Sequence, residues 1–105
     1  MATFQDREKE FEARFKHDEE LKFKVTARRN RLLGQWAAAR MGLTGEAADA
    51  YARVVVETEF KGGDPKVVEK VCTDLNAKGQ SCTPAQIRFE LDHFAETAKQ
   101  QIMQE

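Results

Sequence analysis

The chain has 105 residues, the size of one domain. A third of them are charged, and 17 lysines and arginines stand against 18 aspartates and glutamates. So even a balance argues against duplex nucleic acid or an anionic membrane surface as a bulk electrostatic partner, and no apolar run approaches the roughly 20 residues of a membrane span.

The opening MATFQDREKE lacks the apolar region of an export signal, so a cytoplasmic location is expected. Two cysteines, Cys72 and Cys82, are too few for a disulfide framework and are expected to stay reduced. Neither His17 nor His93 lies near them in sequence, so no metal site is expected. Apolar residues nowhere alternate with polar ones over a strand's length, and prolines number only two. These features predict an all-α fold.

The first predicted helix covers residues 4–17. Thr3 and Asp6 have the spacing of a capping box. Its apolar stripe is narrow, consisting of Phe4, Phe11 and Phe15. Glu10 with Arg14 and Glu12 with Lys16 are spaced for i, i+4 ion pairs, which Asp18 with Lys22 and Glu20 with Lys24 continue. An isolated helix of this length is marginal in water. The segment is therefore expected to fray, to dock on the rest of the chain, or to fold on a partner.

Asp18, Glu19 and Glu20 either cap a second helix or lie within one long one. The second segment runs without a breaker to Met41, with Gly42 in position to end it. Val25, Leu32, Leu33 and Trp36 share a face there, beside Ala37 and Ala38. Thr44 is expected to cap a third helix reaching about Phe60, with Ala47, Tyr51, Val54 and Val55 inward. Gly62-Gly63 is read as a turn. Asp64-Pro65 opens a fourth helix to about Ala77, with Val68, Val71, Cys72 and Leu75 inward. Thr83-Pro84-Ala85-Gln86 is a capping box opening the last helix, whose stripe is Ile87, Leu91, Phe94, Ala98 and Ile102. Four stripes from about residue 19 onward make a compact bundle.

No catalytic constellation is present. Gly62-Gly63 has no phosphate-loop Lys-Ser/Thr after it, and no nucleophile motif accompanies either histidine. His93 reads as a bundle-surface residue. His17 reads as exposed, or as a pH reporter at a helix junction. The stretch from Lys22 to Arg31 contains Lys22, Lys24, Arg28, Arg29 and Arg31 and no acid. It is either a solvated face whose stems cover apolar surface, or an anion or nucleotide contact. Trp36 and Tyr51 read as core aromatics. The chain reads as an interaction protein and not as an enzyme.

Three blocks carry a family resemblance: Phe4-Gln5-Asp6-Arg7-Glu8, then Phe11-Glu12-Ala13-Arg14-Phe15, then Asp18-Glu19-Glu20-Leu21. With the run ARRNRLLGQWAAARMGLTGEAADAYA at 27–52, they resemble the zeta subunit family, the ATPase inhibitor proteins of alphaproteobacterial F-type ATP synthases. The resemblance implies a four-helix bundle at 19–105 carrying an N-terminal inhibitory helical region at 1–18. It implies that this region enters a catalytic α/β interface beside the central stalk and blocks ATP hydrolysis. The partners implied are the α, β and γ subunits, on the cytoplasmic face of the inner membrane, without insertion into it and without nucleic acid. Phe4, Arg7, Phe11, Arg14 and Phe15 are the expected partner contacts. No cofactor is required, and a weak ADP or ATP contact would fall on Lys22, Lys24, Arg28, Arg29 and Arg31.

Overall fold

Side-chain caps start three of the four helices. The computed structural model describes residues 3–105, so the first two residues of the expected 1–18 segment lie outside it. It contains α1 (Phe4–His17), α2 (Glu19–Arg40), α3 (Gly45–Ala77) and α4 (Pro84–Gln104). Thr3 and Asp6 form the expected capping box on α1, Asp18 accepts from the Leu21 N–H to cap α2, and Thr83 and Gln86 form the box on α4 with Pro84 at its first position. Thr44 stands at the start of α3, but its side chain makes no capping bond. Helices α2 and α3 each end by passing an N–H back over a glycine, from Leu43 to the Ala38 carbonyl (2.9 Å) and from Gln80 to the Leu75 carbonyl (3.0 Å).

The expected third and fourth helices are joined without a loop. Gly63 alone leaves helical geometry, at φ 73° and ψ −165°, a conformation that a side chain at this position would strain. The bend folds α3 back on itself. Tyr51 donates its hydroxyl to Asp74 at 2.8 Å, yet these residues would stand about 34 Å apart in a straight helix. Lys70 joins them, bonding Asp74 at 3.0 Å and lying over the Tyr51 ring. Burial, with Asp74 beside it, holds the Tyr51 phenol far above its ordinary range. The two arms of α3, residues 45–62 and 64–77, thus lie side by side. With α2 and α4 they make the four rods of the bundle, and α1 is the extra helix.

Helix α2 is the hub, in contact with each of the other three helices; α1 touches α2 and α4 but not α3. The main core joins Leu33 and Ala37 of α2, Val55, Val67, Val68, Val71, Cys72 and Leu75 of α3, and Ile87 and Leu91 of α4. The first α3 arm keeps the expected stripe at Val55 and, half-buried, at Tyr51, and departs from it at Ala47 and Val54. Ala47 is exposed and Val54 is 42% exposed, whereas Ala52, outside the expected stripe, faces inward beside Val55. The cause is Gly34, since a β-carbon there would lie 2.6 Å from the Ala52 α-carbon. The absent side chain lets the backbones close, and the small alanine takes the contact. Trp36 and Tyr51 lie at the margin of the core and are only half-buried.

Both cysteines are free thiols. The Cys72 thiol donates to the Cys82 carbonyl at 3.3 Å, and Asn76 brackets the same residue through its amide. Burial, reinforced by Cys72, pushes the Cys82 thiol up to about 11.

The Gly34 contact yields the first test. Alanine gains about 1 kcal/mol of helix propensity over glycine, but overpacking a core costs roughly 1–3 kcal/mol. With a 2.6 Å clash against backbone, the second effect should win. Gly34→Ala is expected to lower the urea midpoint, and an unchanged or raised midpoint would show that α2 and α3 can part at this crossing.

Candidate partner-binding site

Helix α1 is attached by very little. Asp18 is at once its C-cap and the N-cap of α2, an extended residue (φ −101°, ψ 103°) and the single joint between the two helices. Asp6 lies in the first turn of α1 and Arg14, Lys16 and His17 in the last, charges that complement the helix dipole.

The expected aromatic anchors divide. Phe4 is 51% exposed, whereas Phe11 is buried against Leu21, Val25 and Ala98. Phe15 is half-buried, its ring stacked beside that of Phe11 with centroids 6.5 Å apart. Arg7 and Arg14 border an open groove of about 640 Å³ between α1 and the bundle, with Glu10, Lys24 and Glu105 on its walls. Arg14 reaches Asp18 at 3.9 Å. Of the expected pairs within the helices, Glu12 turns instead to Lys99 of α4 (3.4 Å) and Lys22 pairs with Glu19 (3.2 Å). Lys99 also lies 4.4 Å from the centre of the Phe15 ring. Nothing in the sequence marks Lys99, because its role arises only from the packing of α1 on α4.

One fully buried phenylalanine contributes roughly 1.5–3 kcal/mol. The half-exposed Lys99–Glu12 ion pair and the Lys99–Phe15 cation–π contact add roughly 1–2 kcal/mol each at most. Against these stands the ordering of a helix that is marginal alone. The α1 dock is therefore shallow, and the main core contains no α1 residue.

The five basic residues of α2 go to different places. Lys24, Arg28 and Arg31 line a hollow of about 300 Å³ with Phe23, Val56 and Ile102. Arg28 is already engaged there, donating to Gln101 (2.8 Å) and Glu105 (2.6 Å). Lys22 and Arg29 lie outside this hollow. Arg29 binds the turn of α3, reaching Asp64 at 2.6 Å and Glu59 at 3.3 Å. Its Nε–H donates to Asn30, and the fully buried Asn30 amide donates to the same Glu59 carboxylate at 3.1 Å. Hydrogen bonds from Arg29 hold the Asp64 carboxyl below its ordinary range, while burial and the neighbouring Asp64 push Glu59 up. Asp64, expected as a helix cap, is thus turned to Arg29. His93 is exposed and within 3.5 Å of Glu90, and His17 is exposed in the last turn of α1. Among the described residues no group of three or more His, Cys, Asp or Glu side chains could hold a metal ion, and no helix is long and apolar enough to cross a membrane.

Comparison with known proteins bears on this geometry. The family model described as ATPase inhibitor subunit zeta matches residues 1–101, which include α1 and most of the bundle. A protein solved in solution by NMR is 36% identical, with a TM-score of 0.69, over 80% of this chain and 96% of its own. No curated protein matches.

The Arg29 cluster makes a pH prediction. Asp64, held down in the folded state, contributes stability at neutral pH that is lost as pH falls. Glu59, held up, contributes in acid and loses that contribution as pH rises. Asp64→Asn is therefore expected to melt below the wild type at neutral pH, with the gap closing as pH falls below the ordinary carboxylate range. Removing the cation with Arg29→Met should cost more than the roughly 1 kcal/mol of an exposed pair and less than the roughly 3–5 kcal/mol of a buried one. Thermal melts followed by circular dichroism across pH measure both, and a gap that widens in acid would contradict the assignment of Asp64.

Proposed function

The chain belongs to the ATPase inhibitor subunit zeta family, and from that premise we propose that it restrains ATP hydrolysis by an F-type ATP synthase, with α1 as the inserting element. The observation that carries this reading is the attachment of α1, through a one-residue joint and one buried ring, that of Phe11. A helix that must enter another protein cannot also be indispensable to its own core, and the absence of any α1 residue from the main core supports this reading. The mode is helix-in-groove recognition, with Phe4, Phe11 and Phe15 as apolar anchors and Arg7 and Arg14 fixing register. The groove proposed is a catalytic α/β interface beside the central stalk, on the cytoplasmic side of the membrane. The division of labour follows, with residues 1–18 as the inhibitory region and 19–105 as its carrier.

A second reading has one observation in its favour, the basic hollow of Lys24, Arg28 and Arg31. An anion or a nucleotide such as ADP or ATP would compete there with Glu105 for Arg28. Chemical shifts of these residues on titration with ADP and ATP test it.

An inhibitor wedged beside a rotor acts as a pawl when rotation one way tightens it and rotation the other way expels it. Added to inverted membrane vesicles from a strain lacking the protein, the purified chain is expected to suppress hydrolysis and spare proton-driven synthesis. Equal loss of both rates would remove the pawl, and no effect on either would remove the inhibitor reading. Phe4 provides the cleanest residue test, because it is exposed and its loss costs the free protein little. Burying a phenylalanine contributes roughly 1.5–3 kcal/mol, and every 1.4 kcal/mol is about tenfold in affinity. Phe4→Ala should therefore raise the half-inhibitory concentration about tenfold or more with unchanged melting, whereas Glu8→Gln should change it little.

A further inference from the structure

The aromatic face of α1 is already occupied. Phe11 and Phe15, one helical turn apart, both point at the bundle, where Leu21, Val25, Ala98, Ile102 and Met103 receive them. A helix cannot offer one face to two partners at once. Resting on the functional reading above, we propose that this patch of α2 and α4 is an internal docking site for α1, exclusive of the ATPase, and that Lys99 is the latch that holds α1 in it.

Lys99 is placed for that role. It is the one ion pair between α1 and α4 among the described residues, at 3.4 Å from Glu12, and the same ammonium group lies 4.4 Å from the Phe15 ring centre. A single side chain from the bundle thus grips a carboxylate and an aromatic ring on consecutive turns of α1. Its own side chain is only 18% exposed, so neither contact is fully screened by water. When α1 departs, both contacts break together, and Lys99 keeps only Glu96, at 3.7 Å on its own helix. Departure asks for new backbone angles at the Asp18 joint and no rearrangement of the main core, which contains no α1 residue.

Two exclusive seats make potency a population quantity. The ATPase takes only the undocked fraction, so the apparent affinity is the intrinsic affinity reduced by that fraction. Loosening the internal seat should strengthen inhibition, the reverse of what losing a partner contact would do. Stabilising the docked state should weaken inhibition without any change at the ATPase.

The test uses the full chain with Lys99→Ala, Lys99→Arg and Ala98→Leu, the last crowding the fully buried floor beneath Phe11. Each is titrated against purified F-type ATPase, and amide hydrogen exchange is followed over residues 4–17 of the free protein. Lys99→Ala is expected to accelerate exchange in α1 and lower the half-inhibitory concentration roughly two- to fivefold. Ala98→Leu should do the same, Lys99→Arg should stay near the wild type, and the main cooperative melt of the bundle should persist in all three. An unchanged or raised half-inhibitory concentration for Lys99→Ala despite faster exchange would overturn exclusivity. Unchanged exchange would overturn the latch. A wild-type chain that does not inhibit at all defeats the functional reading instead, and exchange still decides whether Lys99 holds α1.

Discussion

The clasp of Arg29 and Asn30 on the turn of α3 is the constraint on which the bundle depends. Gly63 permits the chain to reverse, but a glycine with a positive φ specifies no direction by itself. Direction comes from Glu59 before the turn and Asp64 after it, both drawn to one guanidinium on α2. Asn30, with no exposed surface, adds a bond that only the correct register satisfies. A buried polar group with its partners in place costs little, whereas the same group in a slipped register would be orphaned. The clasp therefore selects one arrangement of α2 against both arms of α3. The Gly34–Ala52 approach and the valine-rich core follow from that arrangement.

Placing α2 against α3 also decides what remains for α1. The inner face of α2 is used by α3 and its next face by α4, leaving the N-terminal end, with Leu21 and Val25, and the far end of α4, with Ala98 and Ile102. These form a second, smaller apolar cluster, separate from the main core. No residue of α1 therefore belongs to the main core. Had Phe11 shared residues with the Leu33 and Val55 cluster, its removal would open the main core.

Helices and their caps were legible because they are local. Thr3 with Asp6 and Thr83 with Gln86 act within one turn, so spacing alone reveals them. Side-chain pairing was not local. Arg28 finds its partners 73 and 77 residues away and Arg29 finds carboxylates 30 and 35 residues away, so a run of cations in sequence becomes separate attachments in space. In the first α3 arm Val55 faces inward as its type suggests, but Val54 stands outward and Ala52 inward, although valine outweighs alanine on any hydrophobic scale. A close approach at Gly34 reverses that order, since only the smaller residue fits. The Phe11 and Phe15 stripe was visible, but a stripe suits an internal seat and a partner groove equally well, and only the fold shows the internal seat filled.

A filled seat changes the energetics of any later encounter. A disordered segment that folds on binding must offset its ordering entropy against the partner's contacts. Helix α1 has met that cost on its own bundle, where its capping box, its dipole-matched charges and Phe11 keep it helical. Transfer to another groove is then an exchange of one apolar environment for another, with the helix already formed. The new site has to exceed only the shallow internal one, while the patch left bare on α2 and α4 adds a cost of its own to departure. The balance of these two terms, both set by a few side chains around Ala98 and Lys99, is where sequence variation can tune the readiness of α1 without touching the face it presents to a partner.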